Sequence, residues 1–265
     1  MSTGWVQTLG RVAFLNCDPV FHGLEDRYDL LSAPPSWLTG HVLRKDCLLA
    51  PMPTADFAQY IEDLMLSPDR GIVSQAEVGS VLLFGDRPVE AMRDIALPSD
   101  SSTSVTLLNH LLRTRSLDPR RIVMPPALDT MLERCDGALL IGDRALAAAR
   151  DHPDLVALDL GEAWLELTGT PMVFGVFAAR RDAPVGAIRE AHTDLLKNLV
   201  DFEEDPRVRN AVIAHSVGRS QMDPVRLDRY YDEVTNRLDA NAVLGLETFL
   251  RDACGVAQRP SFFEI

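Results

Sequence analysis

Short apolar runs alternate with helix-patterned segments along the first two-thirds of the chain, and that alternation restricts the fold more than any other feature. RVAFL (11–15), YDLLSA (28–33), CLLAPM (47–52) and SVLLFG (80–85) have the length and content of strands, while SWLTGHVLR (36–44) and TADFAQYIEDL (54–64) carry helical spacing between them. A second series follows: RDIALP (93–98), a helix over 103–115, RIVMPP (121–126), a helix over 127–133, DGALLIG (136–142), a helix over 143–150, LVALDL (155–160) and MVFGVFAAR (172–180). Strands separated by helices mean βαβ units, an α/β protein and a largely parallel sheet. From residue 184 onward the pattern changes. Helical spacing runs through 184–204, 206–215, 224–237 and 240–253 with no strand between, as expected of a tail that packs on an earlier sheet. No Gly/Ser linker, low-complexity tract or repeat divides the chain. Two lobes are therefore expected to be joined by strand crossings, outward near 84–98 and back near 172–180. Residues 1–90 with 176–265 then form one lobe and 91–175 the other, with a ligand cleft between them.

The charge balance excludes some partners. With 39 Asp and Glu against 26 Lys and Arg, formally −13, the 265-residue chain is not built for nucleic acid or an anionic membrane surface. A small anion remains compatible, because a few local donors outweigh a distant net charge screened by salt. Cys17, Cys47, Cys135 and Cys254 are far apart and form no C-x-x-C pair, so no zinc site is expected and a reduced compartment is. The opening MSTGWVQTLG shows no basic region followed by a long apolar stretch, so no signal peptide is read, no membrane span is found along the chain, and a cytoplasmic protein is expected.

Nucleotide and hydrolase fingerprints are missing: no G-x-G-x-x-G, no G-x-x-x-x-G-K-[ST] and no G-x-S-x-G occurs. The histidines at 22, 41, 110, 152, 192 and 215 have no metal spacing and read as structural. Neutral polar groups at loop positions are the better candidates. Asn16 stands where the first strand ends and a short helix opening on Pro19 begins. In open α/β sheets ligands sit outside the carboxyl ends of strands, and an amide there both donates and accepts; a turn or cap is its ordinary alternative. Ser80 enters a strand behind Gly79, which would let backbone approach a ligand closely. PSDSSTSVTLL (98–108) sets Ser99, Ser101, Ser102, Thr103 and Ser104 before an apolar helix, more hydroxyls than one cap requires and a natural clasp for a carboxylate or phosphate. Asp143 in GDRAL is placed to cap its helix. Thr168, Gly169 and Thr170 precede the return crossing, on the hinge side of the expected cleft or in a plain turn.

Taken in order, FLNCDP (14–19), GSVLLFG (79–85), SSTSVTLL (101–108), LLIGDRAL (139–146), DLGEAW (159–164), TGTPMVF (168–174) and GLETFL (245–250) resemble the menaquinone-biosynthesis family of the futalosine route, in its chorismate dehydratase branch. Cys17 stands where that branch usually has Thr, and Asp18 follows it. The sister branch, which makes 1,4-dihydroxy-6-naphthoate, carries a first loop like Ser-Pro-Cys-Pro-Asn-Asp, absent here. The resemblance implies the two-lobed fold of class II periplasmic solute-binding proteins. A non-catalytic cytosolic solute-binding module would share that architecture.

The resemblance further implies conversion of chorismate to 3-[(1-carboxyvinyl)oxy]benzoate and water, a hydro-lyase reaction that needs neither metal nor redox cofactor. Loss of the ring hydroxyl with a neighbouring proton makes the ring aromatic, so the enzyme has only to hold a dianion and move protons. Asn16 and Ser80 are the expected catalytic residues. Ser102, Thr103 and Ser104, with Thr168, Gly169 and Thr170, are expected to bind substrate. No strong base stands in these motifs. A substrate carboxylate is the expected proton acceptor, with Asp18 or His22 as the protein-borne alternative.

Overall fold

A computed structural model describes residues 4–265 and resolves two mixed sheets. The first uses β1 (Thr8–Val12), β2 (Asp29–Ala33), β3 (Leu49–Pro53), β4 (Leu64–Ser74), β10 (Met172–Arg180) and β11 (Val234–Leu238), in the order β11-β4-β10-β3-β1-β2. The second uses β5 (Val81–Phe84), β6 (Asp94–Pro98), β7 (Arg120–Met124), β8 (Gly137–Ile141) and β9 (Val156–Asp159), in the order β7-β6-β8-β5-β9. Helices α1 (Asp18–Phe21), α2 (Pro35–Leu43) and α3 (Thr54–Gln59) follow strands of the first sheet. Helices α4 (Thr103–Thr114), α5 (Leu128–Leu132), α6 (Gly142–Asp151) and α7 (Leu160–Thr168) follow strands of the second. The tail is α8 (Val185–Glu204), α9 (Pro206–Ser220), α10 (Pro224–Glu233) and α11 (Ala240–Asp252).

The sheets are mixed rather than largely parallel. β1 pairs parallel with β2 and β3, and β6 with β7 and β8, as βαβ units require. The strands where the chain changes sheets run the other way: β10 is antiparallel to β3 and β4, and β5 to β8 and β9. Sheet membership also moves the crossings. β5 belongs wholly to the second sheet, so the chain leaves the first sheet between Ser74 and Val81, not near 84–98; it returns by Met172, since all of β10 lies in the first sheet. Ser74 and Met172 are register partners, so the exit and the return lie side by side.

Two strands escape the sequence reading. β4 contains Ser-Pro-Asp-Arg-Gly at its centre, a turn composition, with Asp69 at φ 63° beside register shifts in its pairing. β11 interrupts the helical tail: Val234, Asn236 and Leu238 point inward and Thr235 and Arg237 are less buried, an alternation too short to stand out beside the helix before it.

The first core gathers Leu9, Phe21, Leu38, Phe57, Val176 and Phe177 under α1, α2, α3 and α8. A second joins one face of the second sheet (Leu83, Ile95, Leu139) to Leu107 and Trp164, and to Leu227, Tyr230 and Phe249 of the tail. The tail thus reaches the second sheet as well as the first. Met131 and Ala145 cover the opposite face of the second sheet.

Candidate active site

Two loops fix the floor of the cleft. After β1 the backbone turns through Leu15–Cys17 into α1, and Asp18 anchors that turn from beneath. Fully buried, its carboxylate accepts from Arg11 Nη2 at 2.7 Å, Arg219 Nε at 3.1 Å and Ser216 Oγ at 2.6 Å. Arg219 also donates to Ala13 O at 2.7 Å. The second loop carries the outward crossing. Asp159 caps α7 through Gly161 N and Glu162 N and also accepts from Val78 N and Gly79 N, so one carboxylate holds the residues just before Ser80. Burial pushes the Asp159 carboxyl upward, against these backbone hydrogen bonds.

Between these loops lies a cleft, lined by residues that include Val12, Phe14, Asn16, Met52, Ser80 and Ser104. It opens at the carboxyl ends of β1, β3 and β8, and Ser101 and Ser104 reach it from the chain after β6. Its walls are Phe14, Met52, Ile72, Phe174 and Val234; its polar side chains are Asn16, Ser80, Ser101 and Ser104, and no ionisable side chain lines it among the described residues. Asn16 is 7 % exposed, and its Oδ1 has no hydrogen-bond partner in the protein. A buried amide oxygen without a partner is costly unless something in the cleft meets it. Ser80 is buried, and Tyr230 donates to its Oγ from α10.

The remaining expected residues divide. Of Ser102, Thr103 and Ser104, only Ser104 lines the cavity. Thr103 Oγ1 instead accepts from Ala55 N at 3.1 Å, capping α3 across the two sheets, and Ser102 sits at the α4 start outside the lining. Ser101, in the hydroxyl-rich stretch but not among the three residues expected to bind substrate, takes a place in the wall. Thr168, Gly169 and Thr170 do not reach the cavity. Gly169 ends α7 in the left-handed conformation at φ 71°, and Thr168 Oγ1 returns to Trp164 O and meets Thr170 Oγ1, so the segment is a helix C-cap. Gly79 has φ 61°, but a Cβ there would strike Glu233 and Arg226 rather than a ligand. Asp143 does not cap α6; its Oδ1 accepts from Leu15 N at 3.0 Å. Neither protein-borne base lines the cavity: Asp18 is consumed by its three donors, and His22 packs on His215, ring centroids 5.2 Å apart.

Cys17 is buried and its thiol is pushed up to about 12 by desolvation, so it contributes packing and no thiolate. All four cysteines are free, and no cluster of three or more His, Cys, Asp or Glu that could hold a metal occurs among the described residues. No helix among them is long and apolar enough to cross a membrane. The sequence alone does not mark Tyr230 or Phe14 as site residues. An aromatic on an amphipathic helix reads as core, and no local signal joins Tyr230 to a serine 150 residues away.

Known proteins share this architecture. Solved structures similar to it include an Archaeoglobus fulgidus protein (TM-score 0.71, 16 % identity, 94 % of this chain and 97 % of that one) and the alkanesulfonate-binding protein SsuA of Xanthomonas axonopodis pv. citri (TM-score 0.66, 14 % identity, 93 % of each). The periplasmic aliphatic sulphonate binding protein SsuA of Escherichia coli is similar too, with TM-score 0.66, 17 % identity and coverage of 92 % and 89 %. The fold is therefore that of the periplasmic binding proteins, as the resemblance implied. A curated relative, "Chorismate dehydratase" of Thermus thermophilus, is 29 % identical over 276 aligned positions, 96 % of this chain and 97 % of that protein. The family model described as menaquinone biosynthesis matches residues 7–254, and the chain belongs to that family.

Proposed function

We propose that the protein is a chorismate dehydratase, a hydro-lyase that releases water from chorismate to give 3-[(1-carboxyvinyl)oxy]benzoate. The observation that carries this reading is the cleft's lining: one amide and three hydroxyls, apolar walls, and no ionisable side chain among the described residues. The similarity to the Thermus thermophilus protein over nearly the whole chain supports it. A lining of neutral donors suits a dianion whose own groups do the acid–base work. Ser101 and Ser104, with the free N–H groups opening the twelve-residue α4, offer donors to one carboxylate. Asn16 faces the other carboxylate or the departing hydroxyl, and Ser80 donates beside it. With Asp18 and His22 outside the lining, a substrate carboxylate takes the ring proton. The hydroxyl on the neighbouring carbon leaves, the proton and hydroxyl depart as water, and the electron pair of the broken C–H bond enters the aromatic ring. Orientation supplies the rate enhancement, and the reaction consumes no oxidant or reductant. Incubation of the purified protein with chorismate, without added metal or nucleotide, tests this by mass spectrometry for the aromatic enol ether. Product is expected at a rate proportional to protein; tight binding of chorismate without product would make the chain a solute-binding protein instead.

A further inference from the structure

The walls of the cleft touch at a place that the chemistry above does not use. Leu15 N–H, in the turn that presents Asn16, donates to Asp143 Oδ1 at 3.0 Å from the first turn of α6, 128 residues away. Beside it Gly142 has φ 60°, donates its N–H to Ser80 O at 2.7 Å, and lies so close to Phe14 that an added Cβ would stand 2.9 Å from three ring carbons. Residues 142 and 143 therefore hold the two loops that carry Ser80 and Asn16: 142 holds Ser80 through its backbone, and 143 holds the residue before Asn16. Leu15 is fully buried, so its N–H has no access to water as a substitute.

We propose that Asp143 is a positioning residue, a latch whose carboxylate takes the Leu15 N–H when the walls meet and so sets the Asn16 amide in the cleft. The latch acts through Asn16 and touches no substrate, and its effect on turnover rests on the dehydratase reading. Its chemistry makes it sensitive to pH. Burial pushes the Asp143 carboxyl up to about 6. Arg219 of α9 and Arg144 of α6 favour its charged form and Asp18 of α1 opposes it; Cys17 and the Tyr230 and Tyr231 phenols of α10 also lie within its field and stay neutral. Protonation below about pH 6 weakens the acceptor, so turnover should fall as pH drops through that value.

Two variants and one spectroscopic measurement test the latch. Asp143→Asn keeps a side-chain oxygen to accept the Leu15 N–H and removes the titration; Asp143→Ala removes the acceptor. On chorismate, Asp143→Ala should lose kcat by about a hundredfold, the scale of a small misplacement of reacting groups, with KM little changed. Asp143→Asn should stay within about tenfold of the parent protein and lack the acid limb near pH 6. In 15N-labelled protein the Leu15 amide resonance should titrate with a midpoint near pH 6 and be pH-independent in Asp143→Asn. A Leu15 amide that does not titrate overturns the proposal, as does an Asp143→Ala protein with full kcat or an Asp143→Asn protein as impaired as Asp143→Ala. If Asp143→Ala fails to fold, the amide titration and the Asp143→Asn profile still decide. Should the parent protein not convert chorismate at all, the dehydratase reading fails, while the amide titration still accepts or rejects the latch.

Discussion

Tyr230 donates its hydroxyl to Ser80 Oγ at 3.0 Å across a fully buried contact, so the serine that faces the cleft has one lone pair occupied and its proton left for a ligand. A hydroxyl that is already an acceptor is oriented before substrate arrives, and burial keeps the phenol neutral.

Tyr230→Phe should therefore keep the ring packing and lose the orientation. Stability should fall by about 1 kcal/mol, the usual net value of one hydrogen bond, while kcat falls about tenfold. Thermal melting and steady-state kinetics on one preparation check both; full turnover would return Tyr230 to a purely packing role.

Asn16→Ala and Asn16→Asp should both fold and both lose turnover, with aspartate at least as damaged. Aspartate keeps the shape but sets a negative charge beside a dianion in a cleft walled by Phe14, Met52 and Phe174. A turn or cap role gives the opposite order, because aspartate caps about as well as asparagine. Turnover of the two variants beside their melting temperatures separates the readings.

Asp18→Asn should damage the fold more than the chemistry. It removes the charge that Arg11 and Arg219 share, and breaking a buried pair costs about 3–5 kcal/mol. A base in the reaction would show the reverse, with melting unchanged and turnover gone. Chemical denaturation and kinetics below the melting transition distinguish the two.

Gly142→Ala should impair folding and catalysis together. Its φ of 60° strains any L side chain by about 1 kcal/mol, and the new methyl would collide with the Phe14 ring. Turnover should drop more steeply than stability, because the collision pushes the Asn16 turn away from the α6 start. Equal losses, or none, would mean that the loop relaxes freely.

His192 should set part of the acid limit of stability. Buried beside Arg70, whose Nη2 donates to its Nδ1, it is held down to about 4, first by desolvation and then by the guanidinium. A depressed histidine contributes stability above its unfolded value near 6.5 and loses it as pH falls toward about 4. The loss is on the order of 1–3 kcal/mol. His192→Asn should be less stable than the parent protein at pH 7 and show a shallower decline between pH 6.5 and 4.5. Parallel slopes in urea denaturation across that range would contradict it.

All the sheet strands but β4 and β11, and the cleft residues Asn16 and Ser80, are legible because their signals are local. Apolar runs such as GALLI and MVFGVFAAR announce buried strands, and Asn16 and Ser80 sit at strand boundaries, where α/β proteins place ligands. What could not be read depends on distant partners. Thr103 and Ser104 are neighbours with the same character, yet one caps α3 through Ala55 and the other lines the cavity; only the packing of α3 against α4 decides. Thr168–Thr170 has the composition of both a binding turn and a C-cap. β4 was hidden because Pro68, Asp69 and Gly71 imitate a loop while the pairing with β10 and β11 overrides them. Asp143 has an N-cap's position and an inter-sheet partner.

The pairing of Ser74 with Met172 makes the whole second sheet an insertion into an otherwise continuous hairpin, since β4 and β10 would meet in a simple antiparallel ladder without it. Its two ends lie side by side, yet the inserted sheet is also tied to the rest of the fold by the core that it shares with Leu227, Tyr230 and Phe249 of the tail. A foreign domain grafted at that junction would keep the β4–β10 ladder and replace half of the cleft, but it would have to cover the tail face carrying Leu227, Tyr230 and Phe249 to exchange one ligand preference for another.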